Sequence, residues 1–262
     1  MAKKALCVGI NDYPFGEAND LRGCVNDAKD WSKLLRDHFD FTDIKQLLNS
    51  DATRDNLIDG LKDLLVGAKS GDVLVFTNAS HGTYLADKDG DEPKFDEALC
   101  PYDSDSNLLV DDDLRQLFAN IPNGVRLTVI SDSCHSGSVT RVAMNEYRRN
   151  RQLHPSILGK PVLSPEEMHS ARKKQEMYPE SGMHEILLSG CKSNQTSADA
   201  YIANDYHGAM SYYAIKTIED AGYKLTYADL HDRLLPTLED ENYAQIPQLE
   251  GKDENKQRQI FT

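Results

Sequence analysis

The segment Leu127–Gly137 reads Leu-Thr-Val-Ile-Ser-Asp-Ser-Cys-His-Ser-Gly, in which a short apolar run stops at small polar residues. The run contains Leu127, Val129 and Ile130, a pattern typical of a strand buried on both faces of a parallel sheet. In open α/β sheets, reacting groups lie just beyond the carboxyl ends of the strands. Cys134 follows such an end, and we predict that its thiol is a nucleophile.

A second strand end supplies a candidate base for this thiol. Val73–Thr77 is another buried run, and His81 and Gly82 follow it closely. A free thiol, with a pKa of about 8.5, is mostly protonated at neutral pH and needs a base. If the two strands are neighbours in a parallel sheet, about 4.8 Å apart, His81 and Cys134 project from the same edge. Either residue alone would fit a structural role, namely a buried apolar cysteine or a surface histidine, but the two together favour a catalytic pair.

The rest of the chain alternates apolar runs with amphipathic segments. Predicted strands besides these two are Ala5–Ile10, Ile44–Leu48 and Glu185–Ser189, and predicted helices are Cys24–Phe39, Arg54–Ala68, Leu108–Asn120, Gly208–Ala221 and Tyr227–Leu238. This alternation predicts an α/β fold with a parallel sheet covered on both faces. Tyr84–Asn107 is expected to be a long acidic loop, and Gln259–Phe261 a last edge strand.

Composition narrows the class of protein. The chain has 262 residues, a formal net charge of −14 and five cysteines. The negative charge argues against nucleic-acid binding through phosphate contacts and favours cationic partners, although simple solubility is an alternative explanation. No apolar run approaches the ~20 residues that span a bilayer, and no cleavable leader precedes the first strand. Scattered, odd-numbered cysteines indicate reduced thiols. We therefore expect a cytoplasmic protein that binds neither membrane nor nucleic acid.

Five motifs in order carry a resemblance to a known family. They are Gly9-Ile10-Asn11-Asp12-Tyr13 with Leu21–Ala28, His81-Gly82-Thr83, Asp89–Pro93 with Asp96–Asp103, Asp132-Ser133-Cys134-His135-Ser136-Gly137, and Ser189–Ala200. The chain thereby resembles a metacaspase-type, caspase-like cysteine peptidase of the prokaryotic kind, from about Lys3 to Phe261. The spacing of 53 residues from His81 to Cys134 also fits caspase-like enzymes.

The resemblance implies a three-layer sandwich whose mostly parallel six-stranded sheet has helices on both faces. It implies one peptidase domain over residues 1–262, with a large-subunit-like part (1–138), a basic loop or activation linker (139–182) and a small-subunit-like part (183–262). Caspases dimerise through an edge strand, whereas metacaspases are usually monomers, so a monomer is expected.

The resemblance also assigns roles to individual residues. Cys134 would attack the scissile carbonyl, His81 would set the thiolate and protonate the leaving amine, and the backbone N–H groups of Gly82 and Cys134 would bind the oxyanion. Metacaspases cut after Arg or Lys, and Asp27 and Asp132, with Cys24 in the same pocket, match the residues that bind this cation. A helix N-terminal acid and a strand-end acid are the alternative structural roles of these two aspartates.

Two departures from the family pattern bear on the site. Family members often bind calcium as an activator through carboxylates at the positions of Asp96, Asp111 and Asp112, but a further ligand position holds Arg141 here. A family serine that lines the pocket is replaced by Ala79, with Ser80 next to it. Calcium is therefore expected only as an activator, since the thiol chemistry itself requires no cofactor.

The segment 139–182 is locally basic in an acidic chain. It offers cleavage sites at Arg148-Arg149-Asn150-Arg151 and at Arg172-Lys173-Lys174, so activation by self-cleavage or by another protease is predicted. A mobile surface loop is the alternative. Alternatives for the whole chain are a catalytically silent caspase-like scaffold for protein interactions, and a related hydrolase such as a transpeptidase or a peptidase of different specificity.

Overall fold

The computed structural model describes residues 1–86, 95–134, 147–162, 182–192 and 195–262. Its strands are β1 (Lys3–Gly9), β2 (Asp43–Leu48), β3 (Val73–Ala79), β4 (Gly82–Ala86), β5 (Phe95–Leu99), β6 (Leu109–Val110), β7 (Arg126–Asp132), β8 (Arg148–Asn150), β9 (Ile186–Ser189), β10 (Ala198–Ile202), β11 (Asp205–Gly208) and β12 (Gln248–Glu250). Its α-helices are α1 (Cys24–Phe39), α2 (Arg54–Leu65), α3 (Asp111–Phe118), α4 (Ala209–Asp220), α5 (Tyr227–Asp240) and α6 (Asp253–Lys256), and short 3-10 helices cover Glu17–Asn19, Asn49–Asp51 and Pro155–Leu158.

A six-stranded sheet lies at the centre, in the order β12-β9-β7-β3-β1-β2. Every neighbouring pair is parallel except β12 and β9. All seven residues of β3 are buried, because helices cover both faces of a parallel sheet and leave no polar side. The mostly parallel six-stranded sheet expected from the sequence is confirmed.

Two apolar cores flank this sheet. On one face α1, α4 and α5 pack against it, with Trp31, Met210 and Leu234 in the same core. On the other face α2 and α3 pack beside the small antiparallel sheet β4-β5-β6. Local signals place the helix starts, since Thr53 caps α2 by accepting from the N–H of Asn56 and Thr226 forms a capping box at α5. The layers are helix, sheet and helix, as predicted.

Two sequence predictions about the edges are wrong. The acidic segment Tyr84–Asn107 is not simply a loop, because β4 and β5 pair antiparallel and the side chains of Tyr84, Ala98 and Leu99 are buried. Gln259–Phe261 is not a strand, since Gln259 makes only an isolated bridge to Thr226. The edge position belongs to β12 instead.

A second three-stranded sheet, β11-β10-β8, lies beside the carboxyl edge of the main sheet. Its hairpin β10–β11 turns at Ala203 and Asn204, which have positive φ angles of 52° and 72°; Asn tolerates this region well. Strand β8 belongs to the segment predicted as a basic loop, and the described part of that segment is therefore not simply a surface loop. Over the part of the chain that the structure describes, no helix combines the length and apolarity needed to cross a bilayer.

Candidate active site

The sheet register brings His81 and Cys134 to the same edge. Ala79, the last residue of β3, pairs with Asp132, the last residue of β7. His81 and Cys134 each follow two residues later, so the chain leaves both strands at the same level of the sheet. The register thus places both residues at the same edge of the sheet, as expected for two adjacent parallel strands.

Cys134 is wholly buried, and the loop that follows β9 covers it. Its Sγ accepts a hydrogen bond from the N–H of Ser197 and lies 3.6 Å from the carbonyl oxygen of the same residue. The Sγ of Cys191 is 3.9 Å away. This neighbouring thiol and burial both raise the pKa of Cys191 well above its ordinary value, so Cys191 stays a neutral thiol beside the nucleophile position.

The imidazole of His81 is held by one backbone carbonyl. Its Nε2 lies 2.7 Å from the carbonyl oxygen of Asn19, and its ring packs 5.0 Å, centroid to centroid, from that of Tyr13. A carbonyl oxygen only accepts, so Nε2 carries the proton and Nδ1 is the basic nitrogen. Nδ1 is buried with no hydrogen-bond partner among the described residues. Burial lowers the pKa of His81 to about 4, although the bond to Asn19 opposes this. The ring is therefore neutral at physiological pH and able to accept a proton.

Two backbone N–H groups converge on one carbonyl oxygen at this edge. The N–H of Gly82 donates to the carbonyl of Arg151 at 2.9 Å, and the N–H of Cys134 donates to the same oxygen at 3.2 Å. These are the two donors that sequence reasoning assigned to an oxyanion. Preorganised donors of this kind stabilise negative charge that develops on a carbonyl under attack.

The side chain of Arg151 fills the pocket that was predicted for a substrate cation. Its guanidinium is 0 % exposed and lies 2.5 Å from Asp27, 3.2 Å from Asp132 and 3.1 Å from Asp199. One of its N–H groups also donates to the backbone carbonyl of Asp132 at 3.1 Å. A buried cation is tolerated in a protein only when it is paired in this way.

The three carboxylates are themselves held in place by backbone donors. Asp27 accepts from the N–H of Gly208 at 3.0 Å, Asp132 from that of Ser211 at 2.9 Å, and Asp199 from those of Arg22 and Gly23 at 2.8 and 2.9 Å. Burial raises the pKa of Asp27, and the charge of Arg151 opposes this. Backbone donors and the guanidinium of Arg151 thus hold the three carboxylates together in the pocket.

Cys24 lies near this pocket, and Ser80 is held in the loop before His81. Cys24 is fully buried at the first turn of α1, where burial raises its pKa well above the ordinary value and the nearby charge of Arg151 opposes this. Ser80 accepts a hydrogen bond from Asn78 at 3.0 Å and donates to the carbonyl of His81 at 2.9 Å. Ser80 therefore stabilises the loop that carries the imidazole.

The segment around Arg151 runs through the site as an extended chain. β8 pairs antiparallel with β10, and the N–H of Arg151 donates to the carbonyl of Ser197 at 3.0 Å. Beyond the arginine, Gln152 bridges to Gly82 and the N–H of Leu153 donates to the carbonyl of Gly82 at 2.9 Å. Both sides of the Arg151–Gln152 bond are therefore fixed by backbone pairing.

Two of the three predicted calcium residues are paired with an arginine in the structure. Arg115 lies 2.6 Å from Asp111 and 2.5 Å from Asp112, so a cation is already paired with both carboxylates. Burial raises the pKa of Asp111 to about 6, and the nearby carboxylates, that of Asp96 included, add to this. In the described ranges no group of three or more potential metal ligands is found, while Arg141 lies outside those ranges. A calcium ion could bind these two carboxylates only after Arg115 moves away from them.

One residue of the site, Asp199, was missed by sequence reasoning. It forms the third wall of the pocket, and its only signal was its place in the Ser189–Ala200 motif. Arg151 was predicted as part of a cleavage site, but nothing in its spacing indicated that its guanidinium is buried. The second basic run, Arg172-Lys173-Lys174, lies outside the described residues.

Comparisons with known proteins agree with one family. A sequence model described as "Metacaspase, peptidase C14 domain" matches residues 3–143. Metacaspase-1 of Meyerozyma guilliermondii is 34% identical over an alignment of 285 residues, gaps included, that covers 94% of this chain and 68% of that protein. Metacaspase-7 of Arabidopsis thaliana is 40% identical over 165 residues, or 60% of this chain and 40% of that protein.

Solved structures give the same fold. The crystal structure of a protein from Geobacter sulfurreducens matches with a TM-score of 0.77 at 26% identity, covering 100% of this chain and 99% of that one. Caspase-1 from Spodoptera frugiperda matches with a TM-score of 0.57 at 12% identity, covering 95% and 88% of the two chains. At that identity the second match supports the caspase-like fold alone.

Proposed function

The chain belongs to the metacaspase family of cysteine peptidases, and from this premise we propose that it hydrolyses peptide bonds after arginine or lysine. In this proposal Cys134 is the nucleophile and His81 the base. The first substrate is the chain's own Arg151–Gln152 bond. The proposal rests on the two ends of Arg151. Its carbonyl oxygen accepts hydrogen bonds from two backbone N–H groups, and its guanidinium lies among three carboxylates.

The chemistry follows from the groups around the carbonyl. Nδ1 of His81 takes the proton from the thiol of Cys134, and the thiolate attacks the carbonyl carbon. The oxygen gains the negative charge, which the N–H groups of Gly82 and Cys134 stabilise. The protonated imidazole then gives its proton to the leaving amine, and the carbon–nitrogen bond breaks. Water, deprotonated by the same ring, hydrolyses the thioester and frees the thiol.

The preference for a cation follows from the charge of the pocket. Asp27, Asp132 and Asp199 surround the end of an arginine-length side chain, and a planar guanidinium can bond to more than one carboxylate at once. Lysine carries the same charge but presents only a single ammonium, so we expect it to be the weaker of the two residues. An uncharged side chain would leave the three buried carboxylates without the guanidinium that pairs with all of them, which is strongly unfavourable.

The proposal is tested on the purified full-length chain. We expect two fragments on incubation, and the downstream fragment should begin at Gln152 by N-terminal sequencing and intact mass. Cys134→Ala and His81→Ala should remain single chains, and Arg151→Ala should lose this cut. Arg126→Ala, an exposed arginine on β7, is the matched control and should be cut like the parent. Processing of the Cys134→Ala chain at the same bond would overturn the assignment of the nucleophile.

A cut at this bond would separate the larger and smaller parts of the domain without dividing the sheet. β1, β2, β3 and β7 come from residues 1–138, whereas β9 and β12 come from residues 183–262. The parallel pairing of β7 with β9 would hold the two fragments together. We propose that this division into residues 1–138, 139–182 and 183–262 describes the activation unit, with an upstream protease as an alternative source of the cut.

A silent scaffold is the second candidate, and the burial of Cys134 favours it. The fragment assay separates the two, because a scaffold leaves wild-type and Cys134→Ala chains equally intact. An arginine peptide with a coumarin leaving group then distinguishes hydrolysis from transpeptidation by the mass of the product.

Calcium and location are separate proposals. We propose calcium as an activator only, since the thiol mechanism has no step that needs it, and Arg115 must leave Asp111 and Asp112 before a cation could bind there. We propose a reducing compartment such as the cytoplasm because all five cysteines are unpaired. The expected partners are polypeptides with arginine or lysine before the cut bond, and the chain is expected to act as a monomer.

A further inference from the structure

We propose that the site recognises the four residues before the cut and selects basic segments of the form Arg-Arg-x-Arg. Tyr243 is the residue that selects for arginine at the fourth position counted back from the cut. The inference rests on the proposed function and deepens it, since a preference for arginine at the cut itself does not require any of the contacts described below.

The contacts follow from the way the chain's own segment lies in the site. Arg148 and Asn150 pair with Ala200 and Ala198 of β10, and the N–H of Tyr201 donates to the carbonyl of Tyr147 at 2.9 Å. The segment is therefore an added antiparallel strand, the mode in which many proteins bind extended peptides. Main-chain bonds of this kind give affinity for any sequence, and side-chain pockets give specificity.

Arg148, four residues before the cut, lies on an aromatic ring. Its Cζ is 4.6 Å from the ring centroid of Tyr243, and its Nη1 is 3.4 Å from the carbonyl oxygen of Asn242. Both partners belong to the segment after α5, far from β3 and β7 in sequence. A guanidinium over a tyrosine face is attracted by the ring quadrupole, so this position discriminates for a cation by a contact that the catalytic groups do not share.

Arg149, three residues before the cut, lies against the segment Glu17–Asp20, on a different side of the site from Tyr243. Its Nη1 donates to the carbonyl of Asp20 and, at 3.3 Å, to that of Glu17. These carbonyls flank the short helix Glu17–Asn19, which also supplies the Asn19 carbonyl that holds His81. Carbonyl oxygens are acceptors only, and the guanidinium offers several N–H donors, so this wall suits an arginine side chain.

The test uses the fluorogenic peptide Arg-Arg-Asn-Arg and its variant with alanine in the first position, on the full-length chain after self-processing is complete. The measured quantity is the ratio of kcat/KM for the two peptides. We expect a ratio of about 5 for the wild type, from an attraction of ordinary cation–π strength, and a ratio near one for Tyr243→Ala. Tyr243→Phe keeps the ring and should keep the ratio. Val66→Ala, at an exposed position, is the control and should also keep it.

The outcomes distinguish the fourth-position preference from the peptidase activity itself. Equal cleavage of both peptides by the wild type would overturn the inference and leave the peptidase proposal standing. Failure to cleave either peptide, together with an intact chain, would overturn the proposed function itself. A ratio that survives in Tyr243→Ala, in a variant whose thermal unfolding is unchanged, would assign the fourth-position preference to another residue and refute the role of Tyr243.

Discussion

Replacing Arg151 by alanine should destabilise the chain strongly, although the residue lies outside the main sheet. The change is made in a Cys134→Ala background, which keeps the chain uncut. The guanidinium is 0 % exposed and neutralises three buried carboxylates. Removing one partner of a buried charge group costs about 3–5 kcal/mol. For a domain of this size, such a loss corresponds to a Tm lower by roughly 10 °C.

The loss of stability in Arg151→Ala should depend on pH, and the surroundings of Asp27 give the direction. Burial raises the pKa of Asp27, and the charge of Arg151 is the main opposing influence. Without that charge the pKa of Asp27 rises further, so the folded variant binds more protons than the unfolded chain. Its stability therefore increases as the pH falls, and the gap between variant and parent should be widest at neutral pH and above.

Urea unfolding, followed by circular dichroism at several pH values, measures this gap. A small guanidinium compound such as agmatine provides a second readout, because it can enter the vacated pocket. At 100 times its Kd it should restore about 2.7 kcal/mol to the Arg151→Ala chain and leave the parent unchanged. Arg126→Ala is the control and should unfold with the parent. If Arg151→Ala matched the parent in stability and ignored agmatine, the pocket assignment would be refuted.

Three further predictions concern the walls of the site. Gly208→Ala should abolish cleavage after arginine on gels, because the added methyl would overlap the carboxylate of Asp132 and the guanidinium position. Partial burial opposes the charge on His207, but the carboxylates of Asp27 and Asp30 outweigh it and raise its pKa to about 9. The stability that this provides is complete below about pH 6.5 and is lost as the pH rises through 9, so His207→Gln should cost more stability at pH 6 than at pH 10 in urea titrations. Self-cleavage should proceed in EGTA, and added calcium should change its rate less in Asp111→Asn than in the wild type, as densitometry of fragments would report.

Many of the helix bounds and strand ends were predictable because they depend on local sequence patterns. The apolar spacing of Cys24–Phe39 gave the bounds of α1 as the structure has them. The strand ends before His81 and Cys134 could be located because a buried run must stop where polar residues begin. Adjacent parallel strands then place their ends together, so the proximity of these two residues needed no long-range information.

The remaining features depend on contacts between distant parts of the chain. β4 and β5 form where the side chains of Tyr84 and Ala98 are buried, and the acidic composition of the segment masked that pairing. Arginine is seldom buried without partners, and the partners of Arg151 lie 124, 19 and 48 positions away in sequence. No spacing rule connects these residues, so a basic run was the only sign that Arg151 gave.

Because β8 leads into the active site, the chain competes with its own substrates for that site. In sequence only residues 135–147 separate it from Cys134, and a segment joined so closely to its site competes at a high effective concentration. Peptides added from outside would therefore be turned over only after a lag. Hydrolysis itself would weaken that competition, because it separates Arg151 from Gln152 and Leu153, whose pairing with Gly82 holds the downstream side of the segment. The severed end would then be held from one side only and could leave the cleft to the next polypeptide.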